Sequence, residues 1–120
     1  MFAFVLAFAG CGSSQLFVAV PPGLQRDSVV HDTVDVRAQR YAFTPDEIHV
    51  KAGTLVTLRL RALDATHGFS LGAFGIDQRL EEGDTTWVEF YAPQKGEYDF
   101  KCSHFCGLGH LGMNGKIVVE

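Results

Sequence analysis

Five side chains that could bind a soft metal ion lie in one short segment near the C-terminal end of the 120-residue chain. The segment 101–115 reads KCSHFCGLGHLGMNG, and its two thiols, two imidazoles and one thioether belong to Cys102, Cys106, His104, His110 and Met113. Thiolate, imidazole and thioether ligands together favour copper among the biological metals. The segment therefore predicts a copper site, if it folds so that these side chains converge.

An α-helix is the simplest alternative, because the two cysteines, His110 and Met113 follow one another at intervals of four, four and three residues. That spacing would place them on one helical face. Three glycines oppose a helix here: Gly107, Gly109 and Gly112. Each costs about 1 kcal/mol relative to alanine inside a helix, so a helix this short would not form. We therefore predict a loop that folds the four side chains toward one point.

Such a loop leaves three kinds of metal site and one metal-free form open. A tetrahedral zinc site would use both thiols and two histidines, and Met113 would then have no role. A mononuclear blue-copper site would use one cysteine, two histidines and a weak axial methionine, and would leave the second thiolate unused. A pair of copper ions would use both thiolates as bridges, with one histidine on each ion. In an oxidising compartment, Cys102 and Cys106 could instead form a disulfide, which would be the oxidised form without metal.

Each of these metal sites needs a second histidine, and His67 is the candidate. It follows the longest alternating run of the sequence, and Gly68 gives room beside it. A lone histidine is more often a surface or hydrogen-bonded residue, but the loop's need for a nitrogen donor favours His67 as a ligand. We expect His31 and His49 to be solvated. His104, between the cysteines, is better placed to offer its backbone than its ring.

Short alternating runs, separated by turn signals rich in Gly, Pro and Asp, predict the elements that must position these residues. The runs are 34–38, 47–50, 54–61, 85–91, 97–102 and 115–120. In the clearest run, Val56, Leu58 and Leu60 point inward and the residues between them point outward. Regular short strands of this kind predict an all-β sandwich. The alternation in the run 97–102 also points Cys102 inward, at the end of its strand.

Composition narrows the classes of function. A chain of 120 residues is expected to form one domain, and its apolar fraction of 47% is enough for a packed core. The formal net charge of -4 argues against a nucleic-acid partner, which would require a basic face. Apart from the candidate metal ligands, the sequence offers no pairing of a nucleophile with a base. We therefore do not expect the chain to be catalytic alone.

The N-terminal residues predict export. Residues 1–10 are almost wholly apolar, as in a secretory signal peptide, and Phe8-Ala9-Gly10-Cys11 resembles a bacterial lipobox. We therefore expect a lipidated Cys11 followed by a tether over residues 11–33, and a metal-binding domain over 34–120. The alternative is an ordinary signal segment with an incidental cysteine. Ten apolar residues are too few for a helix that spans the membrane. With export and a lipid anchor, the expected location is the periplasm or the outer face of the cell membrane.

The pattern C-S-x-x-C-G-x-x-H-x-x-M resembles the CuA motif of cytochrome c oxidase subunit II. The segments THGFSL (66–71), PQKGEY (93–98) and GKIVV (115–119) match the same family, and the resemblance covers about residues 41–120. It implies a cupredoxin-like Greek-key β-sandwich that holds the metal at one end.

The resemblance also implies a binuclear copper centre, CuA. The six implied ligands are His67, Cys102, His104, Cys106, His110 and Met113. Both cysteines would bridge two copper ions, and His67 and His110 would each bind one ion. The Met113 thioether and the backbone carbonyl of His104 would be weak ligands to the two ions. His104 stands where many members of the family have a glutamate that also helps to bind magnesium.

By the same resemblance, the chain would accept single electrons from a cytochrome c-type donor and pass them to the catalytic subunit of a haem-copper oxidase. The alternative is a stand-alone periplasmic cupredoxin that stores or delivers copper. Such carriers favour exposed sites rich in methionine, whereas this chain has two methionines, one of which is Met1. Four apolar neighbours are expected to keep water away from the metal: Phe69, Phe105, Leu108 and Leu111.

Overall fold

The computed structural model describes residues 16–120 of the chain. The predicted signal segment and the candidate lipidation site Cys11 lie outside these residues. Within them, ten β-strands form two five-stranded sheets, accompanied by three single-turn 3₁₀-helices. No helix in residues 16–120 is long and apolar enough to cross a membrane.

The strands are numbered in chain order. They are β1 (Leu16–Ala19), β2 (Val30–Gln39), β3 (Ala42–Thr44), β4 (Glu47–Val50), β5 (Thr54–Ala62), β6 (His67–Leu71), β7 (Ile76–Leu80), β8 (Thr85–Ala92), β9 (Gly96–Lys101) and β10 (Asn114–Val119). The 3₁₀ turns are Arg26–Ser28, Gly72–Phe74 and His110–Gly112. One sheet has the order β1-β8-β5-β2-β3 and the other has the order β4-β10-β9-β6-β7. This arrangement confirms the predicted all-β fold.

The core lies between the two sheets and follows the alternation in the sequence. Val56, Leu58 and Leu60 of β5 are no more than 1% exposed, and Val88 and Phe90 of the antiparallel neighbour β8 are fully buried. Removing a side chain of this size from water contributes about 1.5–3 kcal/mol. The inward faces predicted for β5 and β8 are therefore confirmed.

An aromatic cluster fixes the end of the sandwich where the metal-binding candidates lie. Phe43, Phe69 and Phe100 come from β3, β6 and β9, and their ring centroids lie 5.1 to 5.9 Å apart. Each such pair contributes about 0.5–1.5 kcal/mol beyond the area it buries. Phe69 follows His67 by two residues, and Phe100 precedes Cys102 by two. The cluster therefore anchors both segments that carry candidate ligands.

β2 begins earlier than the sequence predicts. It starts at Val30 rather than at residue 34, and it pairs in parallel with β5 from Val30 opposite Thr54 to Ala38 opposite Ala62. Its first four residues are exposed, so no hydrophobic alternation signals them. Together with β1, which pairs in parallel with β8, this places part of the segment 11–33 within the first sheet.

Strands β3, β6 and β7 are not predicted by the alternating pattern. β3 is three residues long, and β6 carries glycine and serine between its buried positions. β7 (IDQRL) buries only its two end residues. β3 pairs with β2, and β6 pairs with β7, through their backbones, which the alternation of apolar side chains does not report.

Candidate metal centre

The predicted metal loop joins β9 to β10 at one end of the sandwich. Its base is closed by the Cys102 amide, which donates to the Met113 carbonyl over 2.9 Å. Within it, the His110 amide donates to the Gly107 carbonyl and the Met113 amide donates to the His110 carbonyl, over 3.2 and 3.1 Å. The segment is thus a loop with one 3₁₀ turn, as its glycines predict, and not an α-helix.

The two thiols face each other inside this loop. Cys102 Sγ lies 3.6 Å from Cys106 Sγ, and both cysteines are free. A disulfide would need the two sulfurs about 2.05 Å apart. Two further candidate metal-ligand atoms adjoin the pair. The His104 carbonyl oxygen lies 3.1 Å from Cys102 Sγ, and Met113 Sδ lies 3.8 Å from Cys106 Sγ.

One imidazole nitrogen lies beside each sulfur. His67 Nδ1 is 4.0 Å from Cys102 Sγ, and His110 Nδ1 is 3.7 Å from Cys106 Sγ. The structure therefore brings all six residues of the predicted set together, with His104 present through its carbonyl group. His67, which follows the longest alternating run of the sequence, is the first residue of β6.

The candidate ligand atoms are not gathered around one point, as a single tetrahedral zinc ion would require. The ligand atoms of His67, Cys102 and Cys106 all lie within 4.8 Å of one another, but His110 is not part of that group. Around one tetrahedral zinc ion, the four ligand atoms would all be about 3.5 Å apart. A zinc site would also leave Met113 Sδ without a role, although this sulfur points at Cys106 Sγ.

Burial keeps the metal-free Cys106 protonated. Cys102 and Cys106 are 3% and 6% exposed, and His67 and Met113 are fully buried. Burial, together with the hydrogen bond between Cys106 and Cys102, raises the pKa of the Cys106 thiol to about 11. A metal ion must therefore displace a proton from this sulfur, because only the thiolate is a good ligand.

The other nitrogen of His67 is held by a carboxylate. His67 Nε2 lies 2.8 Å from Asp64 Oδ1, so the ring can donate from Nε2 and keep the Nδ1 lone pair for a metal. Burial alone would raise the pKa of Asp64, but hydrogen bonds from His67 and from the Arg40 amide lower it overall. Sequence reasoning missed Asp64, and its only signal was a carboxylate three residues before the candidate histidine.

Gly68 lets β6 approach the metal loop. A Cβ atom at this position would lie 2.6 Å from the His104 amide nitrogen and would also clash with Ser103. The Gly68 amide itself donates to Cys102 Sγ over 3.5 Å. The space that the sequence predicts beside His67 is thus filled by the metal loop.

Three of the four side chains that were predicted to keep water away from the metal do not do so, because they are exposed. Phe69 is fully buried, but Phe105, Leu108 and Leu111 are 70%, 99% and 93% exposed. The loop is held by backbone hydrogen bonds and by contacts between its candidate ligand atoms. These three side chains therefore project from its outer surface. Phe105, Leu108 and Leu111 form an exposed apolar rim beside the half-buried His110, whose ring centroid lies 5.7 Å from that of Phe105.

The two histidines outside the predicted set lie away from the metal loop. His49 is exposed and its ring contacts Glu47 and Glu120, while His31 Nε2 lies 2.8 Å from the Arg26 carbonyl oxygen. Both are exposed, as the sequence predicts.

Comparison with known proteins places these features in a family. The protein-family model described as "Cupredoxin-like domain" matches residues 1–119. Cytochrome c oxidase subunit 2 of Thermus thermophilus is 33% identical over 88 residues, which make up 73% of this chain and 65% of that protein. Nitrous-oxide reductase of Cupriavidus necator is 35% identical over 92 residues, which cover 73% of this chain and 14% of that enzyme.

Among solved structures, the periplasmic domain of subunit II of cytochrome oxidase (CoxB) of Bradyrhizobium japonicum matches with a TM-score of 0.69 at 20% identity. The match covers 73% of this chain and 83% of that domain, and it confirms the cupredoxin-like fold. The chain spans 65% of the length of the Thermus relative, so the sequence similarity concerns this domain and not the whole of that protein.

Proposed function

Because this chain belongs to the cupredoxin-like domain family, we propose that it is a binuclear copper, or CuA, electron-transfer protein. The observation that carries the proposal is the pair of free, buried thiols 3.6 Å apart, each with its own imidazole nitrogen. Its relatives include subunit 2 of cytochrome c oxidase, whose sequence is 33% identical over the matched residues.

Each residue has a distinct role in this proposal. Cys102 and Cys106 would hold the two copper ions jointly through their thiolates, and His67 and His110 would each supply one imidazole nitrogen, Nδ1. Met113 Sδ and the His104 carbonyl oxygen would be weaker ligands. When bound, copper would supply one-electron chemistry, with the electron shared by both ions.

The protein contributes rigidity to this electron transfer. The Cys102–Met113 backbone hydrogen bond closes the loop, and the Gly68 amide holds Cys102 Sγ against β6. The phenylalanine cluster packs beneath both segments that carry ligands. Ligands fixed on packed strands move little when the charge of the site changes, which keeps the barrier to electron transfer low.

The apolar rim gives the proposed electron donor a surface to dock on. Leu108 and Leu111 are almost fully exposed beside half-buried His110, and exposed apolar patches of this kind mark interaction sites. In the proposal, a cytochrome c-type donor delivers electrons here, and the catalytic subunit of a haem-copper oxidase receives them. Export and a lipid anchor at Cys11 would hold the domain at the outer face of the cell membrane.

Copper storage or delivery is the alternative function. A carrier must release its ion, and release is easiest from exposed ligands. His67 and Met113 are fully buried, and Cys102 is 3% exposed. This burial favours a resident metal centre.

Electron stoichiometry tests the proposal. The copper-loaded protein is mixed without oxygen with a reduced cytochrome c, and cytochrome oxidation is followed by its absorbance. We expect fast oxidation of one cytochrome for every two bound copper ions. No oxidation would contradict electron transfer from a cytochrome c-type donor, and one oxidised cytochrome for each copper ion would contradict a shared binuclear centre.

A further inference from the structure

The turn between β2 and β3 touches the candidate metal centre at several points, although it supplies none of the proposed ligands. Its residues Arg40 and Tyr41 are both exposed, so neither is part of the core. Both side chains nevertheless lie against the metal loop.

Arg40 contacts both segments that carry ligands. Its guanidinium Nε donates to the Cys106 carbonyl oxygen over 3.0 Å. Its backbone amide donates to Asp64 Oδ2 over 2.9 Å, and Asp64 Oδ1 in turn accepts from His67 Nε2. One residue thus joins the backbone of one candidate ligand to the ring of another.

Tyr41 lies against the backbone of the same loop. A Cβ atom at Gly109 would lie 2.5 Å from Tyr41 Cγ, and one at Gly107 would lie 3.0 Å from Tyr41 Cε1. Gly107 also has a φ of 137°, in the region that favours glycine. The ring therefore lies against Gly107 and Gly109, where a Cβ atom would clash with it.

The geometry points to Arg40 as a positioning residue that holds His67 and Cys106 at a fixed separation, with Asp64 and Tyr41 as its partners. We name these three residues the Arg40 clamp. The inference rests on the proposed copper function for its consequence, but the clamp itself exists in the metal-free chain. Arg40 contributes a hydrogen bond from Nε, which a lysine ammonium at the end of a longer flexible stem does not reproduce.

The clamp should affect two properties of the centre. Asp64 selects the His67 tautomer with the proton on Nε2, which leaves Nδ1 available for the metal. The Arg40 side chain restrains the Cys106 backbone, and with it the position of the bridging sulfur. Loss of either contact should make the positions of His67 and Cys106 less fixed. It should not disturb the packing of the hydrophobic core, because the clamp residues are not core residues.

The test compares Arg40→Met and Arg40→Lys with Arg37→Met. Arg37 is an exposed arginine of β2, the strand that precedes the Arg40 turn, and it lies opposite Arg61 of β5, so it serves as a matched control. We expect copper release to a chelator to accelerate about tenfold in Arg40→Met, as for loss of one hydrogen bond from a charged group. We also expect altered copper hyperfine splitting, with little recovery in Arg40→Lys. Release rates and spectra equal to those of Arg37→Met would overturn the inference.

A second measurement uses the metal-free protein. Nitrogen NMR of the His67 ring should show the Nε2-protonated tautomer in the unmodified chain and a mixture of tautomers in Asp64→Asn, because one amide oxygen cannot replace both carboxylate oxygens. An unchanged tautomer in Asp64→Asn would overturn the role of Asp64 in the clamp. Because this readout needs no copper, it stays informative even if the unmodified chain binds zinc or one copper ion, which would refute the proposed function alone.

Discussion

At the scale of single residues, the proposed chemistry depends on two buried sulfurs. The spacing of the cysteines, His110 and Met113 was enough to predict that they converge, because three glycines exclude a helix. Asp64 and Arg40 could not be predicted in the same way. Arg40 is separated from Asp64 by 24 positions and from Cys106 by 66, so only the folded chain brings them together.

The substitution Cys106→Ser tests whether both sulfurs are needed. A serine hydroxyl does not ionise near neutral pH, so it cannot bridge two copper ions. We expect bound copper to fall from two ions to no more than one per chain, with loss of the binuclear absorption spectrum. A blue-copper site that used only Cys102 would keep its colour, and that result would contradict the account.

His104→Ala is the matched control for this experiment. His104 contacts Cys102 Sγ through its backbone carbonyl, so removing the imidazole should leave both copper ions bound. Copper loss in His104→Ala would show that the ring is a ligand after all. Copper content by elemental analysis and the visible spectrum report both variants.

At the scale of elements, β6 and the metal loop must approach each other closely. The sequence predicts the role of Gly68 correctly as giving room beside His67, but it does not show that the loop occupies that room. It also misses β6 as a strand, because the alternation of apolar residues is interrupted by glycine and serine.

Gly68→Ala should therefore disturb both the fold and the site. The added methyl group would press on the backbone at His104, and overpacking of this kind costs about 1–3 kcal/mol. We expect a lower free energy of unfolding in urea and weaker copper binding. Gly72→Ala is the control, since a Cβ atom there meets open space. Equal stability of the two variants would contradict the close packing.

The pairing of β4 with the end of the chain should depend on pH. A hydrogen bond with Glu120 raises the pKa of His49 above 6.5 and outweighs partial burial, with a smaller contribution from Glu47. A raised pKa means that this contact stabilises the fold fully below the unfolded pKa, and that the stabilisation is lost as pH rises through the folded pKa. The effect is small, because all three side chains are exposed.

Glu120→Gln tests this contact. We expect NMR titration of the His49 ring to show a pKa that moves down toward 6.5 in the variant. Glu81→Gln, which changes an exposed carboxylate paired with Arg79 instead, should leave the pKa of His49 unchanged. A His49 pKa that is the same in all three proteins would contradict the assignment.

At the scale of the whole molecule, the two sheets position the residues of one candidate metal centre. The sequence predicts these sheets because strands β4, β5, β8, β9 and β10 alternate clearly. It places the start of β2 too late, because residues 30–33 are exposed on a strand held by its backbone pairing with β5. It also wrongly buries Phe105, Leu108 and Leu111, because loop residues have no period from which their direction could be deduced.

The central claim is that the sulfur pair holds two copper ions that share one electron. The most direct measurement combines elemental analysis with electron paramagnetic resonance of the reconstituted, oxidised protein. We predict two copper ions per chain and a hyperfine pattern from one unpaired electron spread equally over both. One copper ion with single-nucleus splitting, or a spectroscopically silent zinc protein, would contradict the account.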